Sequence, residues 1–304
     1  MRYDSEIVHS IKIFGIKQTP YLKQLRIIIG HTSKVNWVKF SPDGTKLVSA
    51  SNDKTACIWD VKSGELLRTF VGHGHCVTRA EFSSSGNTIV TCSNDCTIAL
   101  WDVGKFESCS AEINDIHFSH NDNSVIACAD DNTLRVWEIN SGKLVQLYVF
   151  KDHEVLRFQI SPRGEYVLFL TCFELHVARL SSGERIISMK RPGEHIRIAQ
   201  FCSDGTLLES FSTEQCIVTR DIAQNKLLEK VQSPNTHLFA KCSPDKRIIF
   251  ARSSFKDIEM WNFTTGEPTQ RLIGHFDAIT NIDVSPNGKL LVSSSQDNTI
   301  RLWG

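Results

Sequence analysis

Three sets of residues in this 304-residue chain carry the side chains of nucleophilic acyl transfer. His31, Ser49 and Asp53 form the first, His73, Thr91 and Asp95 the second, and His275, Ser293 and Asp297 the third. A hydroxyl beside an imidazole that is steadied by a carboxylate has the content of a hydrolase triad. A catalytic site is normally singular, however, and here the same order of residues recurs three times. Repetition assigns the sets to architecture and not to turnover. A tryptophan follows each of them, at Trp59, Trp101 and Trp303.

The remaining chemistry-bearing residues make no recognised motif. The chain has no glycine-rich phosphate loop, dinucleotide fingerprint or zinc-ligand spacing. Cys92 and Cys96 are wrongly spaced for a zinc knuckle and belong to flanking strands. In His73-Gly74-His75-Cys76 the first histidine is already committed to a set. His117 and His120 straddle a strand end and its turn, and read as solvated. Lys190-Arg191 is too little for a groove that tracks phosphates. Glu112, Asp130, Glu154 and His195 make the best acid–base set, and they have no catalytic spacing. The expectation is a protein without catalytic residues, cofactor or metal.

The elements that position these residues follow from the tryptophans. Ala56-Cys57-Ile58-Trp59-Asp60, Thr97-Ile98-Ala99-Leu100-Trp101-Asp102, Thr133-Leu134-Arg135-Val136-Trp137-Glu138, Ile258-Glu259-Met260-Trp261-Asn262 and Thr299-Ile300-Arg301-Leu302-Trp303 are copies of one strand. Trp59 to Trp101 is 42 residues, Trp101 to Trp137 is 36, and Trp261 to Trp303 is 42. The 124 residues from Trp137 to Trp261 hold two copies without tryptophan, at Leu175-His176-Val177-Ala178 and Cys216-Ile217-Val218-Thr219-Arg220-Asp221. A period of about 40–45 residues signals a radial array of four-stranded units. Within a copy, short alternating runs bounded by Gly, Pro, Asp and Ser read as strands. In the first, Val35 to Phe40, Lys46 to Ala50, Thr55 to Asp60 and Leu66 to Val71 are the four.

The chain resembles the WD-repeat β-propeller family over roughly residues 17–304. Gly30-His31, Gly72-His73 and Gly274-His275 open copies, and turn phrases such as Ser41-Pro42-Asp43-Gly44 and Ser285-Pro286-Asn287-Gly288 follow. Asp53, Asp95, Asp131 and Asp297 then stand six residues before a tryptophan. The resemblance implies an all-β fold, a seven-bladed β-propeller of four-stranded antiparallel blades. Repeats are expected at about 30–71, 72–111, 112–152, 153–194, 195–232, 233–273 and 274–304, after an extension over 1–16. The last copy has no fourth strand of its own, so residues 17–29 are expected to complete it and close the ring, which leaves no bare edge. The resemblance also implies that imidazole, hydroxyl, carboxylate and indole form one hydrogen-bonded chain in each of blades seven, one and two. Blades three to six depart from that pattern: Ala127 replaces the hydroxyl in blade three, Ala178 and Arg220 replace tryptophan in blades four and five, and Phe255 stands at the aspartate position of blade six.

Function is expected at the channel mouth that bears the Gly-His loops. Register places Asn36, Asn52 and Asn94 there, with Glu112, Asp130, Glu154, His195 and Arg197 in the irregular sector. Glu112, Asp130 and Glu154, with Asp115 and Asp131 near in sequence, suggest an acidic sector that attracts a basic segment. The implied role is a non-catalytic scaffold for protein or peptide partners, monomeric within a larger complex. Two alternatives stand beside it: an enzyme with its site at the channel mouth, and a cullin-type ubiquitin-ligase receptor docking through Trp59, Asp60 and Lys62.

Composition narrows the partners. Lys plus Arg equals Asp plus Glu at 34 each, so no overall field favours nucleic acid or an anionic membrane. The longest apolar run, Tyr166 to Leu170, is far short of a span. The N-terminus is charged where a signal peptide is apolar, and of the ten cysteines Cys57, Cys92, Cys128, Cys172, Cys202, Cys216 and Cys242 lie in or beside strands as small hydrophobes. A cytoplasmic or nuclear setting with free thiols is expected.

Overall fold

A computed structural model describes residues 21–101, 104–105, 111–149, 157–171, 174–190, 196–202, 204–211, 216–232, 240–252 and 256–304. The strands among these residues fall into seven antiparallel sheets, each ordered as it occurs in the chain except the last. The first sheet is Val35–Phe40, Lys46–Ser51, Thr55–Asp60 and Leu66–Val71. Alternation sets its packing: Val35, Val38 and Phe40 are buried on the inner strand, while Trp37 and Lys39 between them turn toward the central channel. Each apolar cluster straddles two neighbouring sheets, so the core is divided among the seams and not gathered at one centre. Ile28, Ile300 and Leu302, for example, pack on Val38, Leu47 and Trp59 of the first blade.

The expectation of a seven-bladed propeller of four-stranded blades needs correction. Six of the sheets are full blades. The second has Val77–Phe82, Ile89–Ser93 and Ile98–Trp101, but its fourth strand among the described residues is only Gly104–Lys105. The chain is short here: Trp101 to Trp137 is six residues less than the 42-residue repeats.

The last sheet joins both ends of the described chain. Gln24–Ile29 pairs antiparallel with Thr299–Trp303, from Gln24 opposite Trp303 to Ile29 opposite Thr299. Lys23 and Gly304 exchange both backbone hydrogen bonds at 2.9 Å. Residues 1–16 lie outside the described residues.

Two recurrent bulges shape the blades. On five inner strands the register slips by one near the start, as between Val35 and Trp37 or Ile279 and Asn281. The residue left out of the ladder reaches the next blade: Asn36 donates to the Val77 carbonyl (2.8 Å), Thr78 to Ile113 (3.1 Å) and Thr280 to Val35 (2.6 Å). A second slip falls at the next-to-last position of the third strand, at Trp59, Trp137 and Trp261 and equally at Ala178 and Arg220. Ser41-Pro42-Asp43-Gly44 turns with the Gly44 N–H donating to Ser41 O at 2.9 Å, and Gly44 takes φ of 73° without the cost of a Cβ.

Candidate functional site

The Gly-His loop, the second strand and the second turn of a blade converge on one buried chain of hydrogen bonds. In blade one the Trp59 indole N–H donates to Ser49 Oγ (2.8 Å), which lies 2.7 Å from His31 Nε2, and His31 Nδ1 lies 2.7 Å from Asp53 Oδ2. Blade two repeats it through Trp101, Thr91, His73 and Asp95 at 2.9, 2.8 and 3.0 Å. Blade seven does so through Trp303, Ser293, His275 and Asp297 at 3.0, 2.8 and 2.8 Å. With the indole donating, the hydroxyl points its hydrogen at Nε2 and the imidazole donates from Nδ1 to the carboxylate.

This is triad geometry without triad access. Ser49, Thr91 and Ser293 are fully buried, and the oxygen that would attack already accepts the indole hydrogen. Burial pushes His31 below its ordinary value despite the opposing pull of Asp53. The aspartates go the same way for another reason: burial works to raise Asp95, but the Thr97 hydroxyl, the Gly74 N–H and His73 outweigh it and hold the carboxyl at about 2. Asp53 and Asp297 are also lowered, against burial, by hydrogen bonds from Thr55 and Thr299 and from their histidines.

The irregular blades substitute other packing. In blade four, strand pairing sets Phe169 opposite His176, where Ser49 faces Cys57 in blade one. The Phe169 ring stacks on His176 at 5.0 Å, and that imidazole lies 2.9 Å from Glu174 and 3.0 Å from Ser188 Oγ. Ala178 stands opposite Val167 as Trp59 stands opposite Leu47.

At the channel mouth, blade three brings Glu112 and Asp130 together. The Asp130 N–H donates to Glu112 O (3.0 Å), Asn114 Nδ2 donates to Asp130 Oδ1 (2.5 Å), and both carboxylates belong to exposed residues. The wider acidic sector contracts. Asp115 is 2% exposed, faces the channel and accepts from its own strand and Phe158, so it is no part of the mouth. Asp131 is held by Arg135 at 2.5 Å. Asn36 donates to Asn52 Oδ1 (2.8 Å) as well as to Val77, and the Asn94 N–H donates to Cys76 O (3.1 Å). Glu154, His195 and the Arg197 side chain lie outside the described residues. Trp59 is buried in its seam, Asp60 accepts from the Ser63 N–H at 2.6 Å, and Lys62 is exposed.

Below the mouth lies a charged ring that motif reading does not reveal. The next-to-last residue of each inner strand points into the channel: Lys39, Glu81, His117, Gln159, Gln200, Lys241 and Asp283 line one cavity of about 480 Å3 at the opposite mouth. Lys39 pairs with Glu81, His117 Nδ1 lies 2.7 Å from the same carboxylate, and Lys241 lies 3.2 Å from Asp283. His117 is therefore not the solvated histidine the sequence suggests. One layer deeper, Arg79 lies 3.2 Å from Asp115 and 3.7 Å over the Trp37 ring. Burial works against both charges of the Lys39–Glu81 pair, yet their attraction prevails: Glu81, with His117 adding to the effect, is held at about 2, and Lys39 is raised. Charges alternate around this arc and cancel, so it latches inner strands and offers a ligand no net field. The signal for it was a polar residue at one inner-strand position in every copy.

Among the described residues no group of histidine, cysteine and carboxylate side chains could hold a metal, and no helix is long and apolar enough to cross a membrane.

With this geometry in place, comparison with known proteins is informative. A family model described as "WD domain, G-beta repeat" matches residues 22–60, 64–102, 103–138 and 266–304, half of the chain. Apoptotic protease-activating factor 1 of Danio rerio is 27% identical over 110 residues, 36% of this chain and 9% of that protein. Serine-threonine kinase receptor-associated protein of Gallus gallus is 32% identical over 76 residues, 25% of this chain and 22% of that one. Human striatin-4 is 28% identical over 110 residues, 35% and 13% respectively. The chain spans less than a quarter of the length of each of these relatives. The stretch 139–265, which no repeat model matches, contains the copies that lack tryptophan. Sheet topology, the threefold indole-to-carboxylate chain and the matched repeats agree: the chain belongs to the WD domain, G-beta repeat family.

Proposed function

We propose that this chain is a non-catalytic platform for protein partners, and that a Lys- or Arg-bearing segment docks at Glu112 and Asp130. The observation that carries the reading is that both residues are exposed and their backbones are joined in blade three, the Asp130 N–H donating to Glu112 O. A rigid ring presents them with little ordering cost on binding, and opposed charge raises the rate of encounter. The relatives support the coarser part: one bears the name of a receptor-associated protein and another that of a protease-activating factor. The sealed hydroxyls argue against hydrolysis, since a nucleophile must reach its substrate.

The test is affinity purification with mass spectrometry on the wild-type chain and a folded Glu112→Lys, Asp130→Lys, Glu154→Lys variant. Loss of a specific set of proteins supports the acidic site. An unchanged set removes it and moves the working surface elsewhere.

A further inference from the structure

The seam between blades three and four is open at the rim. In four other seams a buried indole fills the gap: Trp59, Trp137, Trp261 and Trp303 are each 2–3% exposed. Blade four has Ala178 at that position, and a cavity of about 330 Å3 occupies the seam above it. Its floor is Leu134, Val167, Phe169 and Ala178, and exposed Leu147 and Val149 of the outer strand Leu144–Val149 form one lip. Tyr148 spans the gap, its hydroxyl donating to the Leu180 carbonyl at 3.0 Å, so the two blades are braced at a fixed spacing and cannot collapse onto the alanine.

The other lip is cationic. Arg179 and Arg185 line it, and among the described residues no carboxylate does. Arg179 lies 3.6 Å from Glu184, while Arg185 is exposed. An apolar slot the size of a missing aromatic ring, edged by guanidinium groups, is complementary to an aromatic side chain with acidic neighbours. We propose that this groove docks a segment of a partner protein presenting one large aromatic side chain flanked by carboxylates. The site lies on the rim, away from the channel mouth, and does not depend on the acidic pair there.

The test is fluorescence anisotropy with the full chain and a labelled eight-residue peptide in which glutamates flank one tryptophan. A lysine-flanked counterpart, and one with alanine for the tryptophan, serve as comparisons. Ala178→Trp fills the slot with the chain's own indole, and Arg185→Glu reverses an exposed charge without touching the core. Binding of the acidic peptide is expected to weaken tenfold or more in each variant and in each comparison peptide. Equal binding of the lysine-flanked peptide, unchanged binding by Ala178→Trp, or no binding of the acidic peptide up to about 1 mM overturns the proposal. Self-association that Ala178→Trp abolishes would instead seat a second copy in the groove, and also overturns it. A melting curve for each variant separates loss of the groove from loss of the fold, and Arg185→Glu keeps the test alive if Ala178→Trp does not fold.

Discussion

Asp95 shows how single side chains are set by what surrounds them. Burial alone would raise its pKa, but three donors on one carboxylate reverse the sign and leave it at about 2. A carboxyl depressed in the folded state stabilises fully above its unfolded value and loses that contribution as pH falls through the folded one. The wild-type chain should therefore lose stability between about pH 4 and pH 2. Asp95→Asn should flatten, without abolishing, that slope in urea unfolding across the range, because Asp53 and Asp297 shift in the same direction. His31 adds a term with its own window: lowered by burial, it favours the fold above about pH 6.5 and weakens it as acid charges the ring. The channel ring makes a sharper case. Lys39→Met leaves the partly buried Glu81 with His117 as its remaining partner, and should cost about 1.5–3 kcal/mol in chemical denaturation. Replacing Glu81 by Leu as well should recover a large part of that loss; a double variant no better than the single one would mean the pair is not what fixes the inner strands.

At the scale of strands and turns, the indole dictates what its neighbours are allowed to be. A Cβ on Gly30 would lie 2.6 Å from Trp59 Cη2, and one on Gly274 would lie 3.1 Å from Trp303. The glycines of the first and last Gly-His pairs thus exist for close approach to the indole, whereas a Cβ on Gly72 would make an ordinary 3.4 Å contact with Trp101. Gly30→Ala should destabilise by about 1–3 kcal/mol through overpacking, read as a lower melting midpoint. Combining it with a smaller residue at Trp59 should not add the two losses, since both changes act at one contact. The bulge at the end of the third strand persists at Ala178 and Arg220, so strand twist and not the indole produces it. That persistence is why loss of the ring in blade four leaves a slot, with the strands still in place on either side.

The whole molecule depends on its closing seam. Leu22 packs into the cluster of Ile258, Met260 and Ile282, and Ile28 into that of Val38, Leu47 and Trp59. Leu22 also exchanges two hydrogen bonds with Gln270, which ties the closing segment to blade six as well as blade seven. Deleting residues 1–29 would expose the free edge of Thr299–Trp303 and empty both positions, at about 2–5 kcal/mol for each aliphatic side chain. The expected result is a large fall in melting temperature and concentration-dependent aggregation. An unchanged transition would mean that the ring does not need this strand.

The period of the tryptophans points to a ring of four-stranded sheets, and the Gly-His pairs and turn aspartates carry the resemblance that implies the three buried chains, because these residues stand at fixed offsets within one repeat; the closing strand follows from the fourth strand that the last copy lacks. What lies between repeats was not readable that way. The move of Asp115 from the mouth into the channel and the pairing of His117 with Glu81 depend on which side chains from different blades meet across a seam or around the channel. So does the slot over Ala178: the sequence shows a missing indole, but only packing decides whether neighbours fill the gap or, as Tyr148 does here, hold it open. Local geometry repeats with the chain and is written in it. Contacts between distant residues belong to the folded ring, where burial and charge are settled jointly.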